Sequence, residues 1–422
     1  MPSSKAVPQG HIRLATSSPS TQPTTKATLH HLRQIAHRAA ARHHADLLLL
    51  PEAYIGGYPR GSGFGSVVGS RSAEGRDEFL RYFEQAADLG DVVGEGAGGG
   101  DDWVRRRLGG DGLGGDVRGD GTREELESIA ADTGVFIVTG LIEKAGGSLY
   151  CAAVYVCPKR GIIGKRRKVM PRLIWAQGSP RTLQAVSTTI RGTRINMAAA
   201  ICWESYMPLL RQALYAQNIN LYLAPTADGR DAWLSLVRTV GIEGRCFVVT
   251  SNMTVHKDKD GASRSRPGDH HHHEAVKQHK VNDVSYDDGT GAFHLHGPES
   301  RKTTSVAVEA AEGVEHASSS YDAGTGVVHP PPAQKKKKHD DAKEEKSAAE
   351  EWISRGGSAI TGPFGDVLAG PSWEDDTEII YADVDFKDSI RGRLDLDAGG
   401  SYSRNDSFKF SVQGLDLSPL PY

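Results

Sequence analysis

Two hydrophobic rhythms run along the chain. Over residues 11–16, Ile12, Leu14 and Thr16 alternate with polar or small neighbours, the repeat of a half-buried strand. Over residues 25–45, Leu29, Leu32, Ile35 and Ala39 recur at helical spacing behind a Thr-rich cap region, which predicts an amphipathic helix. Residues 46–50 are then largely apolar and end at Pro51, as expected of a short strand in a sheet covered on both faces. A further helix is predicted over 122–133, with Thr122 and Glu125 spaced as a capping box and Gly134 as its stop. The same signals predict strands over 135–143, 148–157, 161–164, 195–202, 220–224, 246–251, 358–361, 367–369 and 378–385, and helices over 207–217 and 230–240. Strands and helices alternating through the middle of the chain predict an α/β fold.

Two stretches break the rhythm. Residues 91–121 are dominated by Gly and Asp, but they lack the fixed-period repeat of a calcium-binding turn array, so a flexible surface insertion is the expectation. Residues 254–350 carry the run Asp269-His270-His271-His272-His273, three consecutive prolines from Pro330 and a run from Lys335 to Lys338. So few apolar residues occur there that burial cannot offset ordering entropy, which predicts a disordered insertion. The His run as a metal site and the Lys run as a nuclear-import signal both weigh less than a solvated loop. The expected organisation is a single domain over 1–422, with its core in 11–90, 122–253 and 352–415.

The balance of charge narrows the function classes. The 422 residues carry a formal net charge of −3, so no global field recruits nucleic acid or an anionic membrane. The four cysteines, Cys151, Cys157, Cys202 and Cys246, fit neither a zinc pattern nor a disulfide framework, and a reducing compartment is expected. The first ten residues are polar and Pro-rich, and no apolar run is long enough for a signal peptide or a membrane span. A cytoplasmic location follows as the expectation.

Three segments place reactive side chains at strand ends. In Leu49-Leu50-Pro51-Glu52-Ala53-Tyr54 a carboxylate follows a buried strand, where a sheet edge opens to a pocket. In Gly164-Lys165-Arg166-Arg167-Lys168-Val169-Met170-Pro171 four cations stand in a row, a pattern usual for a solvated stretch. In Ala198-Ala199-Ala200-Ile201-Cys202-Trp203-Glu204 a cysteine ends a small-residue strand just before a helix, where backbone N–H groups lower a thiol pKa and can bind an oxyanion. Taken singly, each has a bland reading: a loop Glu, a solvated cation run, an inert buried Cys. Together they supply a thiol to attack an electrophilic carbon, an ammonium to stabilise developing charge, and a carboxylate to carry protons.

These segments resemble the three catalytic motifs of the nitrilase superfamily. The resemblance is carried by Pro51-Glu52-Ala53-Tyr54-Ile55-Gly56-Gly57-Tyr58-Pro59, by Arg167-Lys168-Val169-Met170-Pro171 and by Cys202-Trp203-Glu204-Ser205-Tyr206-Met207-Pro208-Leu209, and it points to the branch of nitrilases and cyanide hydratases. It implies a four-layer αββα sandwich and a catalytic set of Glu52, Lys168 and Cys202. Tyr58, Trp203, Glu204 and Glu143 are the candidate substrate-binding residues. It also implies a nitrile substrate, a thioimidate intermediate, no metal or organic cofactor, and a homodimer or larger homo-oligomer. A cyanide hydratase, an amidase, or a weakened homologue acting in binding or assembly are the alternatives. After Pro171 the resemblance breaks: the chain runs directly into Arg172-Leu173-Ile174-Trp175-Ala176-Gln177-Gly178, without the family's Thr-containing stretch and its second glutamate. Impaired turnover, or replacement of that carboxylate by one such as Glu143, would follow.

Overall fold

The computed structural model describes residues 6–67, 70–94, 103–104, 119–172, 174–257, 320–322, 327–329 and 352–422. The His, Pro and Lys runs of the second insertion, and most of the Gly/Asp stretch, lie outside the described residues. The chain divides into two compact units, one of Met1–Thr290 with Glu351–Tyr422 and one of Gly291–Glu350. In the second unit an antiparallel pair is described, β14 (Ser320–Asp322) with β15 (Val327–His329).

The first unit is built on two seven-stranded sheets. In one, β1 (Ile12–Ser17) and β2 (Leu47–Leu49) run parallel, and β2 pairs in parallel with β6 (Phe136–Ala145). Antiparallel β7 (Ser148–Cys157) and β8 (Gly161–Arg167) extend it. On the other side β18 (Ile379–Val384) closes onto β1, while β5 (Ala87–Asp88) pairs with β6. The second sheet runs in the order β13 (Thr254–His256), β16 (Trp352–Thr361), β12 (Phe247–Asn252), β11 (Leu221–Thr226), β10 (Thr193–Ala199), β9 (Val186–Ile190), with β17 (Val367–Trp373) on β16. A small hairpin, β3 (Ser66–Val67) with β4 (Ser70–Arg71), stands apart from both sheets.

Period-two alternation explains how the sheets stack. Leu47 and Leu49 face the second sheet, where they join Leu14, Phe136, Val138, Met197, Leu223 and Val249. Leu48 faces the opposite way, against Leu32, Ile35 and Ala39 of α1 (Thr25–His43) and Leu126, Ile129 and Ala130 of α3 (Thr122–Thr133). The outer face of the second sheet, with Ala198, Tyr222 and Val248, packs on Leu210 and Leu214 of α4 (Pro208–Tyr215) and on Trp233, Val237 and Val240 of α5 (Asp231–Gly244). The result is the expected αββα sandwich. Direct hydrogen bonds stitch its inner layers, among them Ser251 Oγ to the Ser17 carbonyl (2.8 Å), the Thr254 N–H to the Ser18 carbonyl (2.9 Å) and the Ala199 N–H to the Tyr155 hydroxyl (2.9 Å).

Several expectations need correction. Helix α3 does not form the Thr122/Glu125 capping box: its N-cap is Gly121, the Thr122 N–H donates to Asp120, and the Glu125 carboxylate turns to Arg33 of α1 (3.0 Å). The boundaries of both insertions shift. Asp91 and Trp103 are buried in the body, because the buried ammonium of Lys165 draws Asp91 to 2.7 Å and lies 4.3 Å from the Trp103 ring centre. Residues 254–256 form β13 against β16. The chain end also belongs to the body beyond residue 415: Leu415 and Leu420 pack on the outer helices, and the Leu420 N–H donates to the Gln217 carbonyl. The helices α2 (Ala73–Glu84) and α6 (Lys387–Gly392) and the strand β9 had no predicted counterpart. Among the described residues no helix is long and apolar enough to cross a membrane.

Candidate active site

Glu52 sits in the turn that follows β2 and is fully buried. Its backbone is held against β6 at Gly140, whose N–H donates to the Pro51 carbonyl (3.1 Å). A Cβ at residue 140 would lie 2.3 Å from the Pro51 oxygen and 2.7 Å from the Glu52 Cα, so glycine is the residue that lets this turn approach the strand.

Lys168 arrives from the end of β8. The four consecutive cations are all buried, not solvated, and each is held by a carboxylate. Strand alternation sorts them. Lys165 and Arg167 turn to the helix-covered face, where both pair with Asp91 and Glu143. Arg166 and Lys168 turn inward, where Arg166 pairs with Glu204 (2.5 Å) and Lys168 Nζ donates to Glu52 Oε1 (2.6 Å). Burial opposes the charge on Lys168. The carboxylate of Glu52, followed by Cys202, Cys151 and Glu204, outweighs it and holds the ammonium protonated well beyond the range of a free lysine.

Cys202 lies just beyond the small-residue strand β10, after Ala200 and Ile201, and opens a 3₁₀ turn, Cys202–Tyr206. Its φ of 56° lies in the left-handed region, a strained conformation for a non-glycine residue that surrounding structure must enforce. Glu204 supplies that enforcement. Its Oε2 accepts from the Ile201 N–H (2.8 Å), and its Oε1 from Arg166 (2.5 Å) and the Val169 N–H (2.7 Å). One buried carboxylate thus ties the cysteine turn to the lysine strand. Glu204→Gln is expected to destabilise the protein by roughly 3 kcal/mol through an unpaired Arg166 and to lower turnover with it. Urea unfolding read beside the rate checks both.

The thiol does not have the lowered pKa that its position before a helical turn predicts. Burial and then the charge of Glu52 push it up to about 12, while Lys168, the Thr226 side chain and the Ala227 backbone offset only part of the rise. At neutral pH the resting group is therefore a thiol, and attack requires a base to remove its proton.

An apolar wall surrounds these groups: Ala53, Ile142, Cys151, Trp175, Ile201 and Cys202, with Tyr58, Phe79, Tyr82, Phe83 and Trp203 packed against them. Three of the aromatic residues come from α2, which the sequence reading missed. Tyr58 meets Trp175 edge-on, ring centres 5.4 Å apart, and its phenol is raised by burial and then by the charges of Glu52 and Cys202. The Trp203 indole N–H donates to Asp228 (3.1 Å), and its ring lies under Arg172, 3.7 Å from the guanidinium carbon.

The structure therefore brings together Glu52, Lys168 and Cys202, with Tyr58 and Trp203 beside them. It does not bring Glu143 or Glu204 to the cleft as free carboxylates. Glu143 faces the helix side, with both oxygens engaged by Lys165 and Arg167, and so cannot stand in for the glutamate missing after Pro171. Glu204 has both oxygens engaged beneath the cysteine turn. Among the described residues no group of three or more His, Cys, Asp or Glu side chains could hold a metal ion. The short loop after Lys168 is itself tightly closed, by Gly178 N–H to the Lys168 carbonyl (2.8 Å) and Ala176 N–H to the Leu149 carbonyl (2.7 Å).

A buried carboxylate–ammonium pair thus lies in the electrostatic neighbourhood of a left-handed cysteine, in an αββα sandwich. Residues 7–393 match the family model of carbon-nitrogen hydrolases, and the chain belongs to that family. A nitrilase of Bradyrhizobium diazoefficiens is 34% identical over 87% of this chain and 81% of its own length. An arylacetonitrilase of Trametes versicolor is 32% identical over 92% of this chain and 91% of its own. The crystal structure of a carbon-nitrogen hydrolase from Helicobacter pylori shares the fold, with a TM-score of 0.53 at 14% identity over 95% of this chain and 99% of that one.

Proposed function

We propose that the protein is a nitrilase that converts an organic nitrile to the carboxylic acid and ammonia, with Cys202 as nucleophile, Glu52 as general base and Lys168 as the stabilising cation. The observation that carries this reading is the 2.6 Å contact of Lys168 Nζ with Glu52 Oε1, buried in the electrostatic neighbourhood of a left-handed Cys202. The nitrilases at 32–34% identity over most of the chain support the substrate class.

Glu52 takes the Cys202 proton as sulfur bonds to the nitrile carbon, and one C≡N π pair moves onto nitrogen. That nitrogen takes the proton from Glu52, giving a neutral thioimidate and returning Glu52 to its carboxylate form. The Lys168 ammonium, kept charged by its neighbours, stabilises the developing negative charge among buried side chains, where the charge is poorly screened. Water deprotonated by Glu52 adds to the thioimidate carbon, and the tetrahedral adduct expels ammonia to leave a thioester. A second water releases the acid and restores the thiol. Tyr58, Trp203 and Trp175 supply the apolar surface that receives the substrate side group, while Glu204 positions the nucleophile. The family resemblance further supports a homodimer or larger homo-oligomer, and four cysteines that form no disulfide framework support a cytoplasmic location.

An ammonia-release screen over aliphatic, aromatic and arylaceto-nitriles and cyanide tests the reading, with Cys202→Ala as control. Ammonia and acid in equal amounts are expected for at least one organic nitrile. Amide accumulating without ammonia, or formamide from cyanide alone, would replace nitrilase with a hydratase activity.

A further inference from the structure

The two oxygens of Glu52 are not equivalent. Oε1 accepts from Lys168 Nζ at 2.6 Å and from the Cys151 thiol at 3.5 Å. Oε2 is buried and has no hydrogen-bond partner. Cys151, in the middle of β7 and fully buried, meets both members of the pair: its side chain contacts Glu52, and its carbonyl accepts the Lys168 N–H at 2.7 Å.

We infer that Cys151 is a positioning residue of the catalytic centre: with Lys168 it commits Oε1 of Glu52 and so leaves Oε2 as the atom that exchanges protons with Cys202 and water. The inference rests on the nitrilase reading and adds to it an atom-level assignment and a residue outside the Glu–Lys–Cys set. An oxygen that already accepts two donors is the poorer proton acceptor of a carboxylate, and an unpartnered buried oxygen the better one. Two donors on one oxygen also fix the rotation of the carboxylate plane, so Oε2 keeps one direction throughout turnover. Burial, followed by the charge of Glu52, raises the Cys151 thiol well above its ordinary value, so it remains a donor across the working pH range. In each acylation the proton leaves Cys202 sulfur for Oε2 and departs with the ammonia nitrogen, while Cys151 keeps its own proton. Its sulfur forms no bond to substrate.

The test compares wild type, Cys151→Ala and Cys151→Ser on a nitrile that the wild type turns over, with kcat and KM measured across pH. Losing a donor disfavours the ionised carboxylate, so the acidic limb of kcat/KM moves to higher pH in Cys151→Ala, and kcat falls about tenfold, the loss of one donor to a charged group. KM is expected to stay unchanged, because the inferred role of Cys151 is to hold Glu52 and not to receive substrate. Cys151→Ser keeps a donor at the same place and restores the limb toward wild type; should the alanine variant fail to fold, the serine variant against wild type carries the comparison, with a limb displaced to lower pH by the stronger hydroxyl donor. A wild-type limb in a folded alanine variant, or a higher KM at constant kcat, overturns the role of Cys151 while leaving the nitrilase reading intact. Absence of nitrile turnover in the wild type overturns both.

Discussion

Cys202→Ala is expected to reduce nitrile turnover by on the order of 10⁵-fold, because nucleophile, base and cation act as one unit and removing the nucleophile removes the covalent route itself. The fold should survive. The residue is nearly buried but small, and its left-handed backbone is enforced by Glu204, which the substitution leaves in place. Thermal unfolding close to wild type, with ammonia release at background, is the expected pair of results. Turnover within about tenfold of wild type would mean that the chemistry lies elsewhere, since no other group could replace a nucleophile at so small a loss.

The second large effect concerns the Glu52–Lys168 pair. Glu52→Gln keeps the shape of the side chain but removes the base and the charge that faces Lys168. Turnover should fall by about 10³-fold from loss of general base catalysis. Stability should fall by roughly 3–5 kcal/mol, because an ammonium is left buried without its counter-ion. Lys168→Met should be similarly inactive and leave the opposite charge uncompensated. The double variant Glu52→Gln/Lys168→Met removes both charges, and it is expected to be more stable than either single variant although inactive. Urea unfolding of the four proteins measures the coupling directly, and strictly additive losses would exclude a mutual ion pair.

The candidate trio of Glu52, Lys168 and Cys202 was legible in the sequence because each lies in a short local motif just beyond a strand, within residues 51–59, 167–171 and 202–209. The layers were legible for the same reason: the continuous run at Leu47–Leu49 requires cover on both faces, and it finds Leu48 against the helices and its neighbours between the sheets. Long-range pairing was not legible. Four adjacent cations read as a solvated stretch because their carboxylate partners lie at residues 52, 91, 143 and 204; period-two alternation within Lys165-Arg166-Arg167-Lys168 was the signal that could have separated an inner pair from an outer one. Cys151 stands 99 residues from the carboxylate that it contacts. Helix α2 carries an aromatic stripe, Phe79, Tyr82 and Phe83, that pattern reading passed over amid charged neighbours, yet that stripe walls the cleft. The thiol pKa was read in the wrong direction, since local N–H groups were weighed and the desolvating wall and Glu52 were not.

The most direct test is peptide mapping by mass spectrometry after a slow nitrile substrate is mixed with the enzyme and quenched during turnover. A single adduct is expected on the peptide containing Cys202, heavier by the whole nitrile for the thioimidate or by the acyl group for the thioester, and absent from Cys202→Ala. An adduct on Cys151, Cys157 or Cys246 instead, or turnover with Cys202 unmodified throughout, would contradict it.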